Sequence, residues 1–441
     1  MNNNINNYLQ LKIEKYFKYY ISNKILINDL LSIIYYGFEN MIDIINNNIQ
    51  ELMYNDITDL LLDHNYDLLY FTYIDSNFFL DNHNLLKENS IKLLDKCNII
   101  SKLLIYKFII PPRSYTKSFI RLNFYTNTSY QNYNIKNKIQ KKIDYLLSII
   151  QPEQRSNEWY IFRNSTLTAS NIYKIFVSEY TQSQLIIEKS QPINIDKYKN
   201  TNINSPMHWG QKYEPVSTMY YEYINNVKVT EFGCIQHDKY SFLAASPDGI
   251  VCERSSELFG RMLEIKNVVS RVITGIPKME YWIQMQLQME VCQLNECDFL
   301  ETKFIEYINE EEYLSDLSNG NVKYTGIIAQ FIKDDNPVYY YCDFNSNLEK
   351  QNIWKNNIIN ENIDIEFVRF IFWKLEYISC ILVLRNKIWF KSVLPNIQQF
   401  WDILQEEKNS GSYKERLSKK PKIEYKHELS DQGCLIDISG L

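Results

Sequence analysis

The chain has 441 residues, 45% of them hydrophobic and 23% charged, which is the balance of a folded protein with more than one core and excludes wholesale disorder. Its 11 glycines and 11 prolines are too few for collagen-like, linker-like or many-turned all-β architectures. The formal charge of −6, from 47 basic and 53 acidic residues, argues against general electrostatic affinity for nucleic acid and leaves a local basic groove as the electrostatic route to it.

Residues 1–145 read as a helical region, rich in Asn, Ile and Leu, with apolar residues at helical spacing in Ile25, Leu26, Leu30, Leu31 and Ile34 and again in Ile57, Leu60, Leu61, Leu68 and Leu69. Nothing in it suggests chemistry, so a scaffold role is favoured over partner binding. Over-use of Asn, Ile, Lys, Tyr and Phe fits an AT-rich genome. The texture changes near Gln151-Pro152, where a second unit spanning 146–404 begins, and a flexible polar tail is expected over 405–441. The basic residues of that tail, Lys414, Arg416, Lys419, Lys420 and Lys422, read as a solvated segment rather than a nucleic-acid contact.

Within 146–404 the order is short helices at Glu158–Phe162 and Ser170–Phe176 around a loop at Asn164–Thr168, then a longer helix over Met207–Ile224. Strands follow at Val227–Ile235, Phe242–Ala245, Ile250–Cys252 and Met262–Val268, then a helix at Glu280–Leu294 and a strand at Phe299–Tyr307. The mixture predicts an α/β fold. No window holds about 18 uninterrupted apolar residues, and the start Met1-Asn2-Asn3-Asn4 carries no secretory pattern, so an intracellular chain without a membrane span is expected. Eight cysteines form no CxxC pair and five histidines are scattered, which argues against zinc, iron–sulfur and Ser/His/Asp chemistry.

Chemistry concentrates at Ser246-Pro247-Asp248-Gly249, followed by Glu264-Ile265-Lys266. Residues i and i+2 of a strand share a face, so Glu264 and Lys266 project together while Ile265 turns into the core. A hairpin strand ending in Asp248 would set a second carboxylate beside Glu264. Two converging carboxylates with the Ile265 carbonyl between them suit Mg²⁺, a cation that takes oxygen ligands and keeps waters. Lys266 next to such an ion would orient or deprotonate one of those waters, its pKa lowered by the cation. Alone the pattern is weak, because Glu-x-Lys on an exposed strand is usually an ion pair.

Its surroundings make it specific. Gln154-Arg155-Ser156-Asn157-Glu158-Trp159 with Arg163 and Leu167-Thr168-Ala169-Ser170, then Trp209-Gly210 with Glu214-Pro215, precede Ala245-Ser246-Pro247-Asp248-Gly249 and Leu263-Glu264-Ile265-Lys266. Tyr281, Gln284, Gln286 and Met289 follow. These five ordered blocks resemble the YqaJ-type viral recombinase nucleases, relatives of lambda exonuclease in the PD-(D/E)xK nuclease superfamily, over about Gln151 to Leu404. A looser sixth block, Arg385-Asn386-Lys387-Ile388-Trp389-Phe390 with Leu394-Pro395 and Phe400-Trp401, resembles members from large DNA viruses, with Asn386 where an aspartate is usual.

The resemblance implies a restriction-endonuclease-like core, a central mixed sheet flanked by helices, with the N-terminal helical region added. It implies Asp248, Glu264, Glu214 and the Ile265 carbonyl as ligands for Mg²⁺, with Mn²⁺ substituting, Lys266 serving the attacking water, and Gln284 hydrogen-bonding Lys266 or the scissile phosphate. Gln284 and Gln288 share a helix face and Gln286 points away, so Gln288 is a weaker candidate. Thr168 and Ser170 at a helix start are explained by capping, and with Arg163 they would form an anion site. In the family this region resembles a pocket for a terminal 5′-phosphate. Gly249 is expected to be a turn residue, and Trp159, Trp209 and Trp282 core residues.

The expected activity is a Mg-dependent deoxyribonuclease acting 5′ to 3′ on double-stranded DNA ends in viral recombination or replication. The alternatives are a nucleic-acid-binding or virion structural protein that lost activity on the same fold, and a repair endonuclease. The expected partners are duplex DNA, a single-strand annealing protein and, by resemblance, a ring-shaped homotrimer. Host cytoplasm, viral factory or virion are the expected locations, with the nucleus left open.

Overall fold

Local signals and burial both shape the helices of this computed structural model, which describes residues 12, 17, 24–47, 65–75, 87–108, 129–193, 202–320 and 322–418. Helices α1 (Lys24–Asn47) and α2 (Lys87–Phe108) pack through Leu30, Ile33, Ile34, Leu93, Leu94 and Cys97, and residues 65–70, also helical, run into a π turn at Phe71–Asp75. Buried between them, Asn65 donates to Asn98 Oδ1 at 2.6 Å and accepts from Asn40 at 3.0 Å, so these asparagines satisfy one another in an apolar core. The expected helical character of this region holds where it is described; Ile57, Leu60 and Leu61 lie outside the described residues.

Helix α3 (Ser129–Ser148) lies against the second unit. Lys136 Nζ donates to the carbonyls of Arg254 and Ser256 at 3.0 and 3.2 Å, and Lys142 Nζ to Gln293 O at 2.6 Å. Gly260, at φ +81°, lies so near this helix that a Cβ would meet Ile139 Cγ2 at 2.5 Å. The expected boundary at 145/146 therefore falls inside α3.

Next come α4 (Asn157–Asn164), β1 (Leu167–Thr168), a five-residue 3₁₀ turn at Ile172–Phe176, α5 (Glu179–Ser190) and α6 (Pro206–Asn225). Ser156 caps α4 by accepting from Trp159 N at 3.1 Å, and Ser205 caps α6 with Pro206 in its first turn. The strands β2 (Val229–Thr230), β3 (Ile235–Gln236), β4 (Leu243–Ala245), β5 (Gly249–Val251) and β6 (Met262–Asn267) lead to α7 (Met279–Cys292) and β7 (Glu296–Glu306). The strand expected over Val227–Ile235 is thus split: its two ends join different sheets and Phe232 is buried between them. Beyond β7 lie α8 (Glu310–Ser318), β8 (Thr325–Lys333), β9 (Asn336–Tyr341), α9 (Leu348–Glu361), β10 (Glu366–Leu384), α10 (Lys387–Ser410) and α11 (Tyr413–Ser418). The expected tail boundary at 404/405 falls inside α10, while Lys419, Lys420 and Lys422 lie outside the described residues.

The fold is α/β, as expected. A seven-stranded mixed sheet runs in the order β2-β5-β6-β7-β10-β8-β9, with β6 and β7 parallel, and a three-stranded sheet runs β1-β4-β3. A parallel pair needs a crossover, and α7 supplies it. One face of β6 and β7 packs under α6, through Tyr221, Leu263, Ile265 and Leu300. The main core lies on the α7 side, where Met262, Phe299, Trp282 and Ile283 meet Trp389 and Phe390 of α10. Asn386 caps α10 by accepting from Trp389 N at 2.9 Å, so the residue standing in place of the family's aspartate retains the oxygen a cap needs.

Candidate active site

The register of β5 on β6 pairs Gly249 with Leu263, which brings Asp248 beside the middle of β6. Asp248 Oδ2 accepts from Ile265 N–H at 2.6 Å. Gly249 has no positive φ, contrary to the turn expected there; a Cβ would lie 2.1 Å from Val229 Cγ1, so glycine is needed for close passage of β2. Ile265 is buried with Tyr221 and Leu263, as the alternation of β6 predicts.

Glu264 is 0% exposed. It accepts from Lys266 Nζ, from Gln284 Nε2 at 2.7 Å and, on its other oxygen, from Gln288 Nε2 at 2.7 Å. Gln284 therefore holds Glu264 instead of Lys266, and Gln288, the weaker candidate, is its equal in geometry. Gln286 points away, as four-residue spacing requires, donating to Leu384 O at 2.9 Å and accepting from Asn386 N at 2.6 Å.

Glu214 comes from α6, and its Oε2 lies 2.9 Å from Arg155 Nη2. Arg155 holds a left-handed backbone at φ +68° in the turn before α4. One cleft of about 690 Å³ is bounded by Glu214, Asp248, Glu264, Lys266, Arg155 and Arg163. Arg271 also lines it, paired with the buried Glu301 and 5.5 Å from the Tyr281 ring. Arg155 and Arg271 were not candidates from sequence, because their partners are 59 and 30 residues away.

Burial, then Glu264 and Glu214, push Asp248 well above the usual aspartate range. Glu214 is raised as well, by burial and Glu264 against the pull of Arg155. Burial alone would lower Lys266, but without a cation Glu264 and Asp248 outweigh it and raise it. An ammonium between two carboxylates keeps its proton.

A cluster of carboxylates that raise one another is short of positive charge, and an oxygen-seeking divalent cation fits that donor set. Among the described residues no group of three or more His, Cys, Asp or Glu side chains is arranged to hold a metal ion. Here the carboxylates are taken up by Lys266, Gln284, Gln288, Arg155 and the Ile265 amide.

Arg163 forms the other wall. Its guanidinium lies 4.2 Å from the centre of the Trp159 ring and donates to Ser170 Oγ at 2.8 Å. Trp159 Nε1 donates to Ser246 Oγ at 3.2 Å, so this tryptophan belongs to the cleft, whereas Trp282 is core as expected. Thr168 is buried and reaches Ser170 Oγ at 3.3 Å, behind the wall. The expected helix start at Ser170 is instead the short 3₁₀ turn, preceded by Asn171 accepting from Thr168 N at 3.0 Å. The wall therefore presents the Arg163 guanidinium together with the Ser170 hydroxyl.

Residues 158–295 match the family model of the YqaJ-like viral recombinase domain, a shorter stretch than the expected resemblance but one that contains Arg163, Ser170, Glu214, Asp248, Glu264, Lys266 and Gln284. The uncharacterized protein R354 of Acanthamoeba polyphaga mimivirus is 32% identical in an alignment 307 residues long, with 59% of this chain and 54% of that protein covered. The chain thus spans about half the length of this curated relative. Among solved structures, the alkaline exonuclease LHK-Exo from Laribacter hongkongensis is 19% identical, with a TM-score of 0.35 over 59% of this chain and 98% of its own. The same enzyme in complex with dAMP gives 20% and 0.34 over the same shares.

Proposed function

We propose, from the premise that residues 158–295 form a YqaJ-like viral recombinase domain, that this chain is a Mg²⁺-dependent deoxyribonuclease digesting double-stranded DNA ends 5′ to 3′ during viral recombination or replication. The observation that carries the reading is the meeting of Glu214, Asp248, Glu264 and Lys266 in one cleft with Arg163 and Ser170 on its wall. Asp248, Glu264, the Ile265 carbonyl and Glu214 would hold a divalent cation, which supplies Lewis acidity at the scissile phosphate and a more acidic bound water. Lys266, protonated at Nζ, orients the attacking oxygen and offsets charge gathering on the phosphoryl oxygens. Gln284 and Gln288 fix the Glu264 carboxylate from two sides. Arg163 and the Ser170 hydroxyl receive the terminal 5′-phosphate, and the planar guanidinium suits that group.

End-labelled linear duplex and closed circular DNA, each with Mg²⁺, Mn²⁺ or EDTA, test this. Linear DNA should be degraded with either metal and survive in EDTA, and circles should survive throughout. Ready cutting of circles would support a repair endonuclease. DNA binding without cleavage in any metal would support an inactive binding protein on the same fold. A single-strand annealing partner and a homotrimeric ring remain expectations of the resemblance.

A further inference from the structure

Lys189 ends α5, is 4% exposed, and has no carboxylate within ion-pair reach among the described residues. Its Nζ donates to the carbonyl of Arg163, in the last turn of α4. The neighbouring carbonyls of that turn are met otherwise: Ser165 N–H reaches Ile161 O and Phe162 O at 3.1 and 3.2 Å, and Thr166 Oγ1 reaches Phe162 O at 3.1 Å. Lys189 thus holds the one of these carbonyls that belongs to the cleft arginine. Arg163 is pinned from behind through its backbone and from the front through Trp159 and Ser170.

A helix end accepts any donor, including water. A buried ammonium with no carboxylate within ion-pair reach among the described residues is a poor choice for that task alone, since its charge must be stripped of solvent. The charge becomes useful when an anion sits at Arg163, because a second cation behind the guanidinium adds positive potential, and the burial of that second cation weakens its screening.

We propose that Lys189 is a positioning residue for the terminal-phosphate pocket, holding Arg163 through its carbonyl and reinforcing it with a buried positive charge. This rests on the reading of Arg163 and Ser170 as that pocket. Burial brings Lys189 down to about 8, against the opposing pull of Glu188 and with a further push from Arg163.

The test uses the full chain on one duplex ending in either 5′-phosphate or 5′-hydroxyl, with Lys189→Met and Lys189→Gln beside the unmodified protein. Met removes donor and charge; Gln keeps a neutral donor. For Lys189→Met, KM on the phosphorylated duplex should rise about tenfold, the size of one weakened charge-assisted contact, with kcat changed by less than about twofold. Lys189→Gln should fall between, and it decides the matter if the Met variant does not fold. Folded variants that keep the full preference for 5′-phosphate overturn the inference while leaving the pocket intact. Equal rates on both ends in the unmodified protein remove the pocket, and this role of Lys189 with it.

Discussion

Glu264 is fully buried and carries three side-chain hydrogen bonds, one of them from the cation of its own Glu-x-Lys pair. Removing one partner of such a pair leaves a stranded charge, so Lys266→Ala should cost stability as well as cleavage. For a lysine about a quarter exposed, about 2 kcal/mol is expected after allowing for solvent screening. The double variant Glu264→Gln with Lys266→Ala should regain much of that, because the buried charge goes with its partner. Urea unfolding of the two single variants and the double measures the coupling. A double variant no more stable than Lys266→Ala would mean that Gln284 and Gln288 alone satisfy Glu264. The Glu-x-Lys pattern makes these two residues neighbours on a strand face, but only packing under α7 removes water from Glu264 and turns a surface ion pair into a buried one.

Several helices in this protein begin where the sequence places an oxygen-bearing cap, although α7 starts at Lys278 without one. Ser156, Ser205 and Asn386 each accept from the backbone N–H three residues on, and the predicted helices at Glu158–Phe162 and Met207–Ile224 are found one or two residues longer at each end. Asn386 also donates its backbone N–H to Gln286 Oε1, tying the start of α10 to α7 and hence to the helix that carries Gln284. Asn386→Ala should cost about 1 kcal/mol, while Asn386→Asp keeps an acceptor at a helix N-terminus and should stay within a few tenths of the unmodified chain. Denaturant midpoints at constant slope check this. Equal losses in the two variants would show that burial of Asn386, and not its cap, sets the energetics. Short pieces misled the reading where no cap operates: the 3₁₀ turn at Ile172–Phe176 begins at Asn171 without a side-chain cap bond.

The whole molecule depends on α3 more than its composition suggests. Lys136, Ile139 and Lys142 bridge to Arg254, Gly260 and Gln293, contacts spanning more than 100 residues. A chain beginning at Ser129 should therefore keep the second unit folded, whereas one beginning at Lys142 loses Lys136 and Ile139 and should melt several degrees lower. Thermal melts of the two truncated proteins, with Mg²⁺-dependent cleavage of short duplex as a second measurement, distinguish them. Equal melting temperatures would place the domain boundary within α3, near the change in texture at Gln151-Pro152. If both truncated proteins are insoluble, the helices packed by Leu30 and Leu94 belong to the same folding unit.

Sequence alone determined the α/β class, the strand that presents Glu264 and Lys266 together, the separation of Gln284 from Gln286, and the resemblance that residues 158–295 bear out. Each follows from local rules: strand alternation, helical period and ordered motifs. Tertiary structure decided which groups answer those residues. It set Arg155 on Glu214, Gln288 on Glu264 and Lys189 behind Arg163, moved Thr168 out of the cleft wall, and placed Glu264 and Asp248 where they favour the charged Lys266. The reason is distance along the chain: the partners of Glu214 and Glu264 lie 59 and 24 residues away, and a charge's neighbours fix its protonation only once the sheets and helices have closed around it.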